Sequence, residues 1–105
     1  MVIEFARFAI HEGAEDVFRA ERPAMVAAMR RRFPAGLAAF LIREDDGDWL
    51  DVVFWRGRAE AEEAARLIDT VPACAAWFKH IADSGGLRQV EVADAWVGGD
   101  FVNAA

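Results

Sequence analysis

From Val2 to Ile10 the chain divides into two alternating sets: Val2, Glu4, Ala6, Phe8, Ile10 and Ile3, Phe5, Arg7, Ala9. Both sets are mostly apolar, which predicts a strand covered on both faces. His11-Glu12-Gly13 follows as a turn. From about Ala14 to Arg32 the period changes. Phe18, Met25, Met29 and Phe33 keep helical spacing, and Arg22 interrupts the row. Glu15 and Asp16 suit the first turn of this helix, and Arg30, Arg31 and Arg32 its last, through the helix dipole. Pro23 removes a backbone donor in mid-segment and is expected to kink or divide the helix. Pro34 and Gly36 stop it.

Leu37 to Arg43 reads as a second strand, again apolar on both faces. The polar run Glu44 to Asp48 contains Asp46-Gly47, a hairpin signal. Trp49 to Arg56 is then a third strand, and Gly57 serves as a helix N-cap. The second helical segment starts near Arg58. Its stripe is Leu67, Val71, Cys74, Phe78 and Ile81. Pro72 cuts the segment, so two helical pieces sharing one buried face are expected. Asp83-Ser84-Gly85-Gly86 reads as the helix end and Leu87 to Val97 as the fourth strand. Residues 1–97 thus form one domain, and 98–105 a short tail that includes Phe101 and Val102.

The order βαββαβ predicts a ferredoxin-like α+β fold. Its four-stranded antiparallel sheet would have strand order 4-1-3-2 and carry both helical segments on one face. The other face, with Ile3 and Phe5, would be left bare. An apolar patch of that kind marks an interface. The expected partner is a second copy, packed sheet to sheet about a twofold axis.

Composition narrows the function classes. At 105 residues the chain is a single domain, small enough to gain from association. Hydrophobic residues make up 55%, which argues against disorder. A net charge of −6, with Arg30 to Arg32 as the one basic cluster, argues against nucleic acid. No apolar stretch is long enough for a membrane span, and Met1-Val2-Ile3-Glu4 does not open like a signal peptide. One cysteine, Cys74, permits no intrachain disulfide, so a cytoplasmic protein is expected. No metal-ligand spacing or phosphate loop is present, so no metal and no cofactor are expected.

Four sets of residues invite chemistry, each with a plainer reading beside it. Trp77 and His80 are helix neighbours. They make either an aromatic wall with a general base at its edge, or an interfacial Trp and an exposed His near a helix end. Trp49, Asp51, Val53 and Trp55 share one face of the third strand. Asp51 between two indoles is either a base with a raised pKa or half of an ion pair with Arg7 or Arg56. Glu4 shares a strand face with Ala6; a carboxylate on a covered face is costly unless paired, or else it is wet at a sheet end. Met25 and Met29 are core residues or the lining of an adaptable pocket. Cys74 is a buried small hydrophobe without a basic neighbour, hence a poor nucleophile.

Two segments carry a family resemblance. His11-Glu12-Gly13-Ala14-Glu15-Asp16-Val17-Phe18 resembles the strand-turn-helix opening of the antibiotic biosynthesis monooxygenase superfamily. Val53-Phe54-Trp55-Arg56-Gly57 resembles its third strand, which commonly ends in tryptophan. The resemblance implies a dimeric α/β barrel with a pocket between each sheet and its own helices. It also implies oxidation of aromatic polyketides by oxygen without a cofactor in some members, and haem degradation in others. The haem-degrading pattern of Asn, Trp and His falls at Ala6, near Ala64, and short of His80, which disfavours that activity here. The polyketide-oxidising pattern includes Asn and Tyr, but this chain has no tyrosine and only Asn103, in the tail.

The leading expectation is therefore a pocket protein that oxidises an aromatic or enolisable molecule with oxygen. Asp51 or His80 would be the base. Trp49, Trp55, Trp77, Met25 and Met29 would line the site. The alternative is a non-catalytic dimeric module that binds a hydrophobic or aromatic ligand or only assembles.

Overall fold

A computed structural model describes residues 1–101; Val102 and Asn103 lie outside the described residues. The elements are β1 (Val2–Ile10), α1 (Glu15–Arg32), β2 (Gly36–Arg43), β3 (Trp49–Trp55), α2 (Arg58–Leu67), a 3₁₀ turn (Ile68–Thr70), α3 (Pro72–Phe78) and β4 (Ile81–Glu91). One antiparallel sheet has the order β2-β3-β1-β4. This is the predicted ferredoxin-like order. The helices cover one face, where Phe18, Met25, Met29, Phe33, Trp49, Val53, Trp55, Cys74 and Trp77 form a buried core.

The first half follows the sequence pattern closely. Gly13 and Gly47 take the positive φ values of +78° and +91° that their turns require. The Asp46-Gly47 hairpin closes with Glu44 N–H donating to the Asp48 carbonyl at 2.8 Å. Pro23 is the exception. It neither divides α1 nor ends it, since the helix runs unbroken from Glu15 to Arg32. The lost bond is confined to one turn. Phe18 on one side of Pro23, and Met25 and Met29 on the other, are buried in the same core and hold both halves down.

Pro72 does what its chemistry dictates. It sits at the first position of α3, where a missing N–H costs nothing, and the 3₁₀ turn links α3 to α2. The expected stripe is corrected at its end: Ile81 belongs to β4. Trp77, expected beside the stripe, is 1% exposed and lies within the core.

The largest correction concerns β4. It spans Ile81–Glu91, not Leu87 to Val97. Asp83-Ser84-Gly85-Gly86 lies inside the strand. Opposite β1 the register moves from Ala6–Leu87 to Phe8–Ser84, so β4 carries an extra residue there, a β-bulge. Gly86 takes φ +101° at this bulge, and a Cβ on Gly85 would come within 3.1 Å of the Arg7 carbonyl oxygen. Beyond Glu91 the ladder stops because β1 stops. Val92 N–H donates to the Met1 carbonyl, and no strand lies further along among the described residues. Trp96, read as part of the strand, is 89% exposed.

The face away from the helices carries Ile3 and Phe5 of β1, Leu50, Val52 and Phe54 of β3, and Ala38, Phe40 and Ile42 of β2. Phe40 meets Phe54 at a centroid distance of 6.0 Å, and Phe101 packs on Phe40 at 5.8 Å.

Candidate functional site

Strand alternation sends Glu4 and Ala6 of β1 and Asp51, Val53 and Trp55 of β3 toward the helices. There they line a partly open cavity of about 150 Å³. Arg22, Met25, Val26 and Met29 of α1 form a second wall, and Ala64 and Ala65 of α2 a third. Ile68, Phe78 and Leu87 complete it. Ala65 and Leu87 are exposed, so the mouth opens between α2 and β4.

Asp51 has a partner that the sequence did not name. Arg22 Nη1 and Nη2 donate to the two carboxylate oxygens at 2.8 Å each. The pair is half-buried in the cavity wall. The expected partner, Arg7, faces the other way. It stands opposite Leu50, one register position from Ala6–Asp51, and so belongs to the outer face. There it pairs with Glu44 and Asp46 of the hairpin. Arg22 looked like an interruption in an apolar row. That was the available signal, because a cation at a core-facing position needs an anion near it.

Glu4 lies diagonally across from Asp51 on the adjacent strand. Gln89, the only glutamine of the chain, donates from Nε2 to Glu4 Oε2 at 2.9 Å across the β1–β4 pair. Burial pushes the Glu4 carboxyl above its usual range; the Gln89 bond opposes this, and the nearby Asp51 charge adds to it. Glu4 is thus a lining carboxylate without a cationic partner of its own among the described residues.

The other expected site residues separate into two groups. Met25, Met29 and Trp55 line the cavity with Asp51. Trp49, Trp77 and His80 do not. Trp77 stacks on Phe18 at 4.6 Å and donates from Nε1 to the Phe18 carbonyl at 2.9 Å. Trp49 packs against the other side of the cluster, 5.2 Å from Phe18. His80 lies just past α3, with Nε2 3.2 Å from Glu21 Oε2. The structure places it with α1, away from Asp51. Trp55 has a different character: its buried Nε1 is the one fully enclosed side-chain donor without a partner among the described residues. Cys74 is fully buried, and burial pushes its thiol pKa up, as a core role requires.

Among the described residues no three or more His, Cys, Asp or Glu side chains gather as a metal site. No helix among them is long and apolar enough to cross a membrane. Ala6, where the resemblance implies Asn, and Ala64, near where it implies Trp, both line the cavity as small side chains, and no histidine does. The donor set and the cavity size do not fit a porphyrin.

No family model and no curated protein matches this sequence. Solved structures do. SnoaB, a cofactor-independent oxygenase from Streptomyces nogalater, has a TM-score of 0.69 and 20% identity, over 90% of this chain and 94% of that one. A putative antibiotic biosynthesis monooxygenase from Deinococcus radiodurans also has a TM-score of 0.69, at 17% identity over 92% and 97%. A mutant of MhuD, with two manganese protoporphyrin IX bound per active site, has a TM-score of 0.62 and 23% identity, over 93% and 100%. The chain has the fold of the antibiotic biosynthesis monooxygenase structures, as the sequence resemblance implied. The fold is what this likeness shows.

Proposed function

We propose that this protein is an antibiotic biosynthesis monooxygenase-type enzyme of the cytoplasm that oxidises an aromatic or enolisable small molecule with oxygen, using no cofactor. The observation that carries this reading is the apolar cavity between sheet and helices, with carboxylates set into its wall. A base removes a proton from an activated CH₂ group, and the electron pair stays on the substrate carbon. That carbon reduces oxygen and bonds to it, giving a hydroperoxide after protonation. Loss of water leaves a carbonyl, so CH₂ and O₂ become C=O and H₂O. The substrate supplies all the electrons. Oxygen uptake with enolisable aromatic compounds, anthrone among them, tests the reading. It fails if no compound that binds also consumes oxygen.

We further propose that the active form is a homodimer joined through the outer sheet face. Its support is the apolar row of Ile3, Phe5, Phe40, Ile42 and Phe54, which the helices leave uncovered.

A second reading has its own support. Arg22 occupies both oxygens of Asp51, and His80 lies outside the cavity, so neither expected base is free beside a ligand. A dimeric ligand-binding module without turnover is consistent with that arrangement. Saturable binding with no oxygen uptake distinguishes it from the enzyme.

A further inference from the structure

Glu4 joins three properties that no other residue of the cavity combines. It is a carboxylate, it lines the cavity, and it has no cation of its own among the described residues. Gln89 anchors Oε2, while Oε1 accepts no hydrogen bond from the described residues. Asp51 differs because both its oxygens are held by Arg22. A group that accepts a proton or a hydrogen bond from a ligand needs a free lone pair facing it. Glu4 Oε1 accepts nothing from the described residues, whereas each Asp51 oxygen already accepts a bond from the Arg22 guanidinium.

Size and charge limit what reaches Glu4. An apolar protein cavity of roughly 150 Å³ holds a ligand about as large as benzene, and the cavity here is about 150 Å³. Its wall carries two carboxylates against the single Arg22 guanidinium, already neutralised by Asp51. An anionic ligand would meet uncompensated negative charge.

We propose that the cavity takes an uncharged single-ring phenol or enol, and that Glu4 accepts the proton of its acidic O–H or C–H. When transfer is complete, the bond to hydrogen breaks, its electron pair stays on the ligand and the proton rests on the Glu4 carboxylate. This rests on the reading of the cavity as a small-molecule site and narrows its ligands to single-ring ones.

Calorimetric titration of the full chain with 4-methylphenol, toluene, 4-methylbenzoate and anthrone tests it. The expected result is saturable binding of 4-methylphenol and toluene, at least tenfold weaker binding of 4-methylbenzoate, and no binding of anthrone. In Glu4→Gln the affinity ratio of 4-methylphenol to toluene falls about tenfold, because the charge-assisted hydrogen bond is lost. Ala65→Trp, at the exposed mouth and distant in role from both carboxylates, abolishes binding of both ligands without relying on a Glu4 variant. Anthrone binding as tightly as 4-methylphenol, or a ratio unchanged in Glu4→Gln, overturns the proposal. The two readings fail separately. The expected binding pattern without oxygen uptake removes the oxygenase and keeps the ligand class. Oxygen uptake with anthrone, while 4-methylphenol does not bind, removes the ligand class and keeps the oxygenase.

Discussion

Arg22 on the first helix and Asp51 on the third strand clasp each other through two parallel hydrogen bonds of 2.8 Å. The guanidinium also lies over the Trp77 ring, 5.1 Å from its centroid. One cation therefore joins helix, sheet and aromatic core. Asp51→Ala leaves that cation half-buried without an anion. A loss of about 2–3 kcal/mol is expected, below the range for fully buried pairs because water still reaches this one. Arg22→Met combined with Asp51→Leu recovers most of it. Urea denaturation of Arg22→Met, Asp51→Leu and the double variant measures the coupling.

Glu4 gives stability a pH dependence of definite sign. Its folded-state pKa lies above the usual 4.5. Between those two values the folded chain binds more protons than the unfolded chain, so stability falls as pH rises through the window. Arg22 and Asp51 are the charged groups facing it in the cavity, and Gln89 is its neutral partner. Glu4→Gln removes the titration. Its stability advantage over the parent chain should grow as pH rises above about 4 and level off once the folded-state carboxyl is ionised, read from urea midpoints at each pH. A constant gap would show that Glu4 keeps its unfolded-state pKa.

Trp77 should behave as core. Trp77→Phe loses the 2.9 Å bond to the Phe18 carbonyl but keeps an aromatic ring on Phe18. A cost of about 1–2 kcal/mol follows. Trp77→Ala empties the space as well and should cost about 3–5 kcal/mol. Thermal and urea unfolding report both.

Cys74 is fully buried, and its thiol pKa is raised by burial. Modification by a thiol-reactive disulfide reagent should therefore be slow in buffer, and its rate should rise with urea in step with unfolding. Rapid labelling of the folded chain would place the thiol at the surface.

The dimer proposal has a direct test. Sedimentation equilibrium should give twice the chain mass. Phe40→Lys, at a position 37% exposed on the outer face, should give the single-chain mass with the helical circular dichroism unchanged. A monomeric parent chain would remove the proposal.

The first three strands and the first helix are legible because alternation, helical spacing and turn glycines all agree. Val2 to Ile10 was read at its observed limits. The fourth strand was not, because it is an edge strand with polar and glycine residues where the ladder bulges. Its interior looked like a helix stop. The end of the ladder was also hidden, since it depends on where β1 begins rather than on anything between Val92 and Val97. In the site, strand alternation placed Asp51 and Trp55 on one face, and both line the cavity. It could not separate Trp55 from Trp49, because position along the strand decides which of them meets the open space. Arg22 and Gln89 became readable as partners only once the fold set them against Asp51 and Glu4.

The bulged β4 has a counterpart across the sheet. β2, the other edge, shifts register between Gly36 and Ala38, whereas β1 and β3 pair without interruption. Both borders are thus irregular, and irregular borders are poor templates for another chain. Growth by adding strands sideways, the route to fibres, is discouraged at either end. Association would be left to the outer face, where the proposed twofold contact would consume the surface that made it. A chain with so apolar a sheet would, in the proposed dimer, gather in pairs and stop there.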